Sequence, residues 1–248
     1  MVRMSEQTCV IFAAGEYYGD TPIVPSGALV IAADGGLDHT RALGIEADFV
    51  IGDFDSLTSS VPHGSNTLRL PSQKDDPDLL SALKVGWNRG ARQFRIYGAL
   101  GGRIDHTIAS IQLTALLAQH GGVGFLYGDG MIVTAVSDAR LDFAARHVDS
   151  TGDARARMVS VFAHSSDAQG VSERGLKYEL TDATLTNTIV QGVSNELLDE
   201  RAASIDVRQG TLIVTFPSSE SLPRITRHHA FTGDLGALDT TVSSALAV

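Results

Sequence analysis

Phe49-Val50-Ile51-Gly52-Asp53-Phe54-Asp55-Ser56 is a short apolar run that breaks at a glycine into two aspartates one residue apart. The run reads as the end of a buried parallel strand, and its glycine permits a turn or a close approach to neighbouring backbone. In an extended segment, side chains two positions apart point the same way, so Asp53 and Asp55 are expected to present two carboxylates to one small volume. Three further acidic clusters accompany them: Ala33-Asp34-Gly35-Gly36, Lys74-Asp75-Asp76-Pro77-Asp78 and Gly101-Gly102-Arg103-Ile104-Asp105-His106. Carboxylates packed this densely at strand ends repel one another unless a cation or a proton separates them. Oxygen ligands, waters and substrate phosphates are the usual company of magnesium. The pattern implies magnesium-dependent phosphoryl-transfer chemistry.

Outward from this stretch, the first half alternates apolar runs with helical patterns, the signature of βαβ units around a mostly parallel sheet. Strands are predicted at Thr8–Ala13, Ala28–Ala33, Asp48–Ile51, Thr67–Leu70, Gln93–Tyr97 and Val123–Tyr127. Asp76-Pro77 is expected to open a helix, with Asp as N-cap, Pro in the first helical position, and Leu79, Leu80, Leu83 and Trp87 as its apolar face. In a second helix, Ile104, Ile108, Ile111 and Ala115 are expected to face the sheet, with Arg103, Asp105 and His106 in its first turn. After about Gly130 the texture changes to short β-like stretches: Met131–Val136, Met158–Ala163, Leu176–Leu180, Ala202–Val207 and Leu212–Phe216. These predict an all-β, sandwich- or barrel-like second domain. The boundary falls between Tyr127 and Ser150, giving expected segments 1–135, 136–217 and a loosely packed tail over 218–248.

Length and composition bound the possibilities. A chain of 248 residues, 43% hydrophobic and 19% charged, has enough apolar content for a packed core. Its formal charge of -10, from 19 Lys+Arg against 29 Asp+Glu, argues against nucleic-acid binding, which needs a basic stripe. Cys9 is the only cysteine, so intrachain disulfides and cysteine-rich zinc sites are excluded, and its apolar surroundings suit a buried inert thiol. No run approaches the roughly 18 apolar residues of a membrane span. The short N-terminal apolar run lacks the form of a targeting signal, so a cytoplasmic location is expected.

The acidic motifs fall where open α/β sheets bind ligands, outside the carboxyl ends of strands. Gly98-Ala99-Leu100-Gly101-Gly102 leads into a helix, so its backbone N–H groups, with Arg103 beside them, form a candidate phosphate seat. No G-x-x-x-x-G-K-[ST] loop and no G-x-G-x-x-G fingerprint is present. Several of these residues have plainer roles open to them. Asp75 or Asp76 can serve only as a helix cap, Asp78 can simply complement the helix dipole, and Lys74 can be a solvated lysine.

Taken together in this order, A-D-G-G at 33–36, G-D-F-D-S at 52–56, K-D-D-P-D at 74–78 and G-A-L-G-G-R-I-D-H at 98–106 resemble the thiamine pyrophosphokinase family. G-L-K-Y at 175–178 and G-V-S-N-E at 192–196 match it too, and the resemblance spans roughly residues 8–216. It implies transfer of the pyrophosphoryl group of ATP to the hydroxyl of thiamine, giving thiamine diphosphate and AMP. It also implies a homodimer with active sites at the subunit interface.

Carried onto this sequence, the resemblance makes Asp53, Asp55 and Asp78 the magnesium ligands and, with Arg103 and Asp105, the catalytic set. Asp34, Gly35, Lys74, Asp75, Gly101, Gly102 and Arg103 become ATP-binding residues, and Tyr178, Ser194 and Asn195 thiamine contacts. An aromatic face suits a cationic thiazolium or a flat pyrimidine, although Tyr178 also fits a half-buried strand aromatic. This chain departs from the family at Pro77, where Thr is usual, losing a hydroxyl and a backbone donor. Two other functions stay open from residues alone: a pyrophosphokinase for another small alcohol such as a pterin, and a non-catalytic nucleotide or thiamine sensor.

Overall fold

A computed structural model describes residues 7–19, 21–55, 57–147 and 154–242. Ser56, which closes the G-D-F-D-S motif, lies outside these residues, as do the far end of the expected domain boundary and the end of the tail. The described chain forms two compact units, one holding 7–19, 21–55, 57–110, 126–128 and 234–242, the other 111–125, 129–147 and 154–233. The expected segments 1–135, 136–217 and 218–248 therefore do not map onto the units one to one.

The first unit is an α/β structure. Its strands β1 (Gln7–Phe12), β2 (Leu29–Ala33), β3 (Phe49–Gly52), β4 (Thr67–Arg69) and β5 (Ala91–Tyr97) form a parallel array in the order β4-β3-β2-β1-β5. The chain runs outward from β1 to β4 and then returns to the other side of β1, so the strand order switches between β1 and β5. Beyond the carboxyl ends of such strands lies the usual ligand crevice. Buried apolar runs such as Cys9-Val10-Ile11-Phe12 suit strands covered on both faces. Helix α1 (Gly36–Ala42) follows β2, and α2 (Asp78–Asn88) packs across β1, β2, β3 and β5.

Helix α2 begins one residue later than expected. Pro77 is the N-cap, with ψ 151° and no side-chain capping bond. Asp76, expected as the cap, instead receives a hydrogen bond from the buried Lys84 Nζ at 2.5 Å. Gly86 is close-packed, since a Cβ there would lie 2.7 Å from the Phe94 ring and 3.0 Å from Cys9 Sγ. Cys9 is fully buried, and desolvation pushes its thiol well above the ordinary range, as an inert core thiol requires.

Helix α3 (Ile104–Gln119) is present, but only the far end of its expected apolar stripe faces inward: Ala115 is fully buried and Ile111 partly so. Ile104 and Ile108 are 77% and 53% exposed, whereas Ser110, Thr114, Leu117 and Ala118 are buried. The Ser110 hydroxyl bonds the His106 carbonyl and the Thr114 hydroxyl that of Ile111, so two polar residues enter the core at little cost. Strand β6 (Val123–Gly128) follows.

Apart from residues 111–119 of α3 and a short helical turn at 154–157, the second unit is built of β-strands. Strands β7 (Met131–Ser137), β9 (Met158–Ala163), β12 (Asn195–Glu196) and β14 (Thr211–Pro217) pair antiparallel in the order β12-β9-β14-β7. Strands β8 (Ala139–Phe143), β10 (Asp167–Arg174), β11 (Leu180–Thr186), β13 (Ala203–Asp206) and β15 (Arg224–Arg227) form a second antiparallel sheet, ordered β11-β10-β13-β8-β15. Phe143 of one sheet meets Phe216 of the other edge to face at 5.3 Å, which places the core between them.

β7 belongs here because its whole length is hydrogen-bonded to β14. The strand expected at Leu176–Leu180 is replaced by an isolated bridge from Leu176 to Leu197, with β11 starting only at Leu180. Over its described residues, 218–242, the stretch read as a tail is structured: β15 pairs with β8, and Leu235 is buried in the first unit. Its polar sequence hides this, because the pairing uses backbone atoms on a sheet edge.

Candidate active site

The acids at the ends of β2 and β3 converge. Asp34, Asp53 and Asp55 each place a carboxylate oxygen within 4.8 Å of the others. Two backbone features achieve this. A Cβ at Gly52 would stand 3.0 Å from the Asp34 Cα, so glycine is what lets the ends of the two strands touch. Phe54 has φ 63° and is 8% exposed, buried against Ala32, Leu37 and Val50, which leaves Asp53 and Asp55 on the opposite side. The segment is thus a turn rather than the extended stretch expected, and the Asp55 N–H donates to Asp53 Oδ1 at 3.2 Å. Asp53 serves the turn and the cluster together.

Asp78 stands beside this group. Burial raises its proton affinity, Lys74 opposes that rise, and the charges of Asp53 and Asp34 add to it. Lys74 Nζ lies 2.9 Å from Asp78 Oδ1 and also donates to the Pro71 carbonyl at 3.3 Å. The tightest trio is therefore Asp34, Asp53 and Asp55, with Asp78 held by its lysine. Asp34, expected in the acidic cluster at a strand end and as an ATP contact but not among the magnesium ligands, thus joins Asp53 and Asp55. Asp75 is exposed, and its N–H bonds the Asp239 carboxylate, whose proton affinity is lowered chiefly by the N–H and hydroxyl of Thr241.

Around the β1/β5 switch the two loops are zipped together. Ala13 N–H donates to the Tyr97 carbonyl at 2.8 Å and Gly15 N–H to the Gly98 carbonyl at 2.7 Å. A Cβ at Gly98 would sit 2.5 Å from the Ala13 oxygen and one at Gly101 1.9 Å from the Tyr18 hydroxyl. Tyr17 stacks on His39 at 4.0 Å and donates to the Ala13 carbonyl. The Glu16-Tyr17-Tyr18 run just past β1 was the unread signal for this aromatic wall.

Of the expected phosphate donors, the Gly101 N–H is already bonded to Thr107 Oγ1 at 3.1 Å, whereas Gly102 is exposed. Gly35, half-buried, is the N-cap of α1. Arg103 grips Asp105 through Nε at 3.2 Å and Nη2 at 2.7 Å on an exposed surface. That fork holds the Asp105 carboxyl below the usual carboxylate range, which weakens it as a base.

In the second unit, a cavity of about 380 Å³ is lined by Glu173, Tyr178, Leu180, Leu185, Val193 and Asn195 among others. Tyr178 is 63% exposed. Asn195 is buried and holds this region together: Oδ1 accepts the N–H groups of Tyr178 and Glu196, and Nδ2 donates to the Tyr178 carbonyl and Glu173 Oε2. Ser194, with φ 61°, is exposed and donates its N–H to Ser160 Oγ. Tyr178 and Asn195 share this cavity; Ser194 is next to Asn195 in the chain and is not among the residues that line it.

An α/β sheet whose strand ends gather three carboxylates is a scaffold on which hard cations and phosphates are commonly held. Two family profiles match this chain: "Thiamin pyrophosphokinase, catalytic domain" over residues 23–122, and "Thiamin pyrophosphokinase, vitamin B1 binding domain" over 147–212. The thiamine pyrophosphokinase of Bacillus subtilis (strain 168) is 27% identical over 198 residues, spanning 75% of this chain and 86% of that relative.

Solved structures agree on the fold. The Bacillus subtilis enzyme superposes with TM-score 0.72 at 23% identity, covering 86% of this chain and all of the other. The Candida albicans enzyme gives 0.66 at 14% identity, with 85% and 88% covered. The chain belongs to the thiamin pyrophosphokinase family.

Proposed function

We propose that this chain transfers the pyrophosphoryl group of ATP to the hydroxyl of thiamine, with magnesium as cofactor. The observation that carries this reading is the convergence of Asp34, Asp53 and Asp55 within 4.8 Å, in a chain of this family. The donor set is all carboxylate oxygen, which fits a small hard cation, and Asp78 is close enough to sense the same charge. When bound there, magnesium supplies charge neutralisation and polarisation of phosphate oxygens.

The chain's own residues do the rest. The thiamine hydroxyl oxygen bonds to the β-phosphorus, the bond from that phosphorus to the α-bridging oxygen breaks, and AMP leaves. The hydroxyl proton passes to an acid of the cluster, and Asp105, held by Arg103, serves better as the residue that aims the guanidinium at phosphate. Such transfers depend mainly on positioning and charge stabilisation. In the second unit, the Tyr178 face and the cavity beside it receive the thiamine rings. The protein works as a cytoplasmic homodimer with active sites at the subunit interface. No described helix is long and apolar enough to cross a membrane.

Incubation with ATP, thiamine and magnesium is expected to release AMP and thiamine diphosphate in equal amounts, and chelation with EDTA to stop it. ATP binding without AMP release would favour a sensor, and turnover only with another alcohol would replace thiamine as acceptor.

A further inference from the structure

Glu173 lies on β10 and is 1% exposed, yet the fold does not account for its charge. Its Oε2 accepts the Asn195 amide at 2.9 Å, whereas Oε1 is buried without a hydrogen-bond partner among the described residues. Its backbone sits in register with Leu180 and Ile205, a ladder that any side chain would permit. A neutral amide would support Asn195 equally well. Burial raises the carboxyl above its ordinary range, offset only in part by the Asn195 bond.

The side chain forms part of the wall of the 380 Å³ cavity shared with Tyr178. A methyl at Gly192 would stand 3.6 Å from Oε1, so glycine leaves that side of the oxygen without a covering side chain. Leu180, Ala183, Leu185 and Val193 make most of the remaining wall apolar. An enclosed acceptor in an apolar cleft beside an aromatic ring matches a flat heterocycle that carries an N–H donor. Thiamine has one such group, the exocyclic amine of its pyrimidine; the thiazolium has no N–H, and the hydroxyl must reach the phosphates.

We propose that Glu173 is a specificity-determining residue whose Oε1 accepts a hydrogen bond from the exocyclic amino group of the acceptor's pyrimidine ring. This rests on the thiamine reading above. It predicts discrimination against acceptors that bear an oxo group at that position, because acceptor would then face acceptor.

The test compares kcat/KM for thiamine and for oxythiamine, in which an oxo group replaces the amine. The unmodified protein is expected to prefer thiamine by about ten- to hundredfold. Glu173→Gln keeps an acceptor for Asn195 and can turn an amide N–H toward the ligand, so it should lose about tenfold or more of that preference with the KM for ATP unchanged. A merely structural role for Glu173 would lower both substrates together and leave their ratio intact. Equal kcat/KM for the two acceptors in the unmodified protein overturns the assignment whether or not the variant folds. So does a folded Glu173→Gln protein that retains the original ratio. If the unmodified protein forms no AMP with thiamine, the functional reading fails and takes this role with it; turnover of thiamine without discrimination rejects Glu173 alone.

Discussion

Lys74 Nζ stands 2.9 Å from Asp78 Oδ1, and its side chain is only 5% exposed. A lysine buried this far from water is tied to its acid rather than to solvent. Lys74→Met is expected to destabilise the protein by about 2 kcal/mol, because Asp78 then keeps a half-buried charge without its partner. Urea unfolding in EDTA measures this, and an unchanged midpoint would show that the pair does not anchor the loop.

Asp53→Asn should separate stability from activity. Removing one of three converging carboxylates relieves repulsion in the metal-free protein, so its urea midpoint should hold or rise. The same change should weaken magnesium binding and lower turnover about a hundredfold or more. Calorimetric titration with magnesium gives the binding; affinity equal to that of the parent protein would take Asp53 out of the ligand set.

Gly52→Ala tests the contact that brings the two strand ends together. A new methyl would lie 3.0 Å from the Asp34 Cα and 3.1 Å from its Cβ, so the backbone at Asp34 must move. The expected cost is about 1–3 kcal/mol, with magnesium affinity falling alongside. A variant crystal structure with Asp34 in place and full activity would contradict it.

The Lys84–Asp76 pair, with side chains 9% and 14% exposed, fixes the acidic loop to α2. Lys84→Met strands a buried carboxylate and should cost about 3 kcal/mol, read as a lower melting temperature. The double variant Lys84→Met with Asp76→Leu should recover much of that loss; failure to recover would mean the lysine acts through other contacts.

Glu173 sets a pH dependence of stability with a definite sign. Its folded proton affinity is raised above the unfolded value, for which 4.5 is the reference. Below that pH both states are protonated and no penalty arises. As pH climbs through the unfolded value the native state binds more protons than the unfolded one, so stability falls until the native carboxyl ionises. Glu173→Gln should therefore be more stable than the parent at pH 8, with the gap closing near pH 4. Urea midpoints that differ equally at both pH values would point to packing instead.

The sequence by itself determined the two textures of this chain. Runs such as Cys9–Phe12 and Phe49–Ile51 are apolar throughout because parallel strands are buried on both faces, and short stretches from Met131 onward carry the β-rich half. The motifs that mark the family are local, so they were legible as well. Only the tertiary structure decided which acids meet, which face of α3 is buried, and that Asn195 and Glu173 belong to one bonded group. Ser110 and Thr114 entered the core because their hydroxyls are satisfied within the helix, and no hydrophobicity pattern reports that. Asp34 joined Asp53 and Asp55 because two strands pair in register and a glycine lets them touch. Pairing between distant segments is a property of the folded sheet, and chain order alone does not encode the distance.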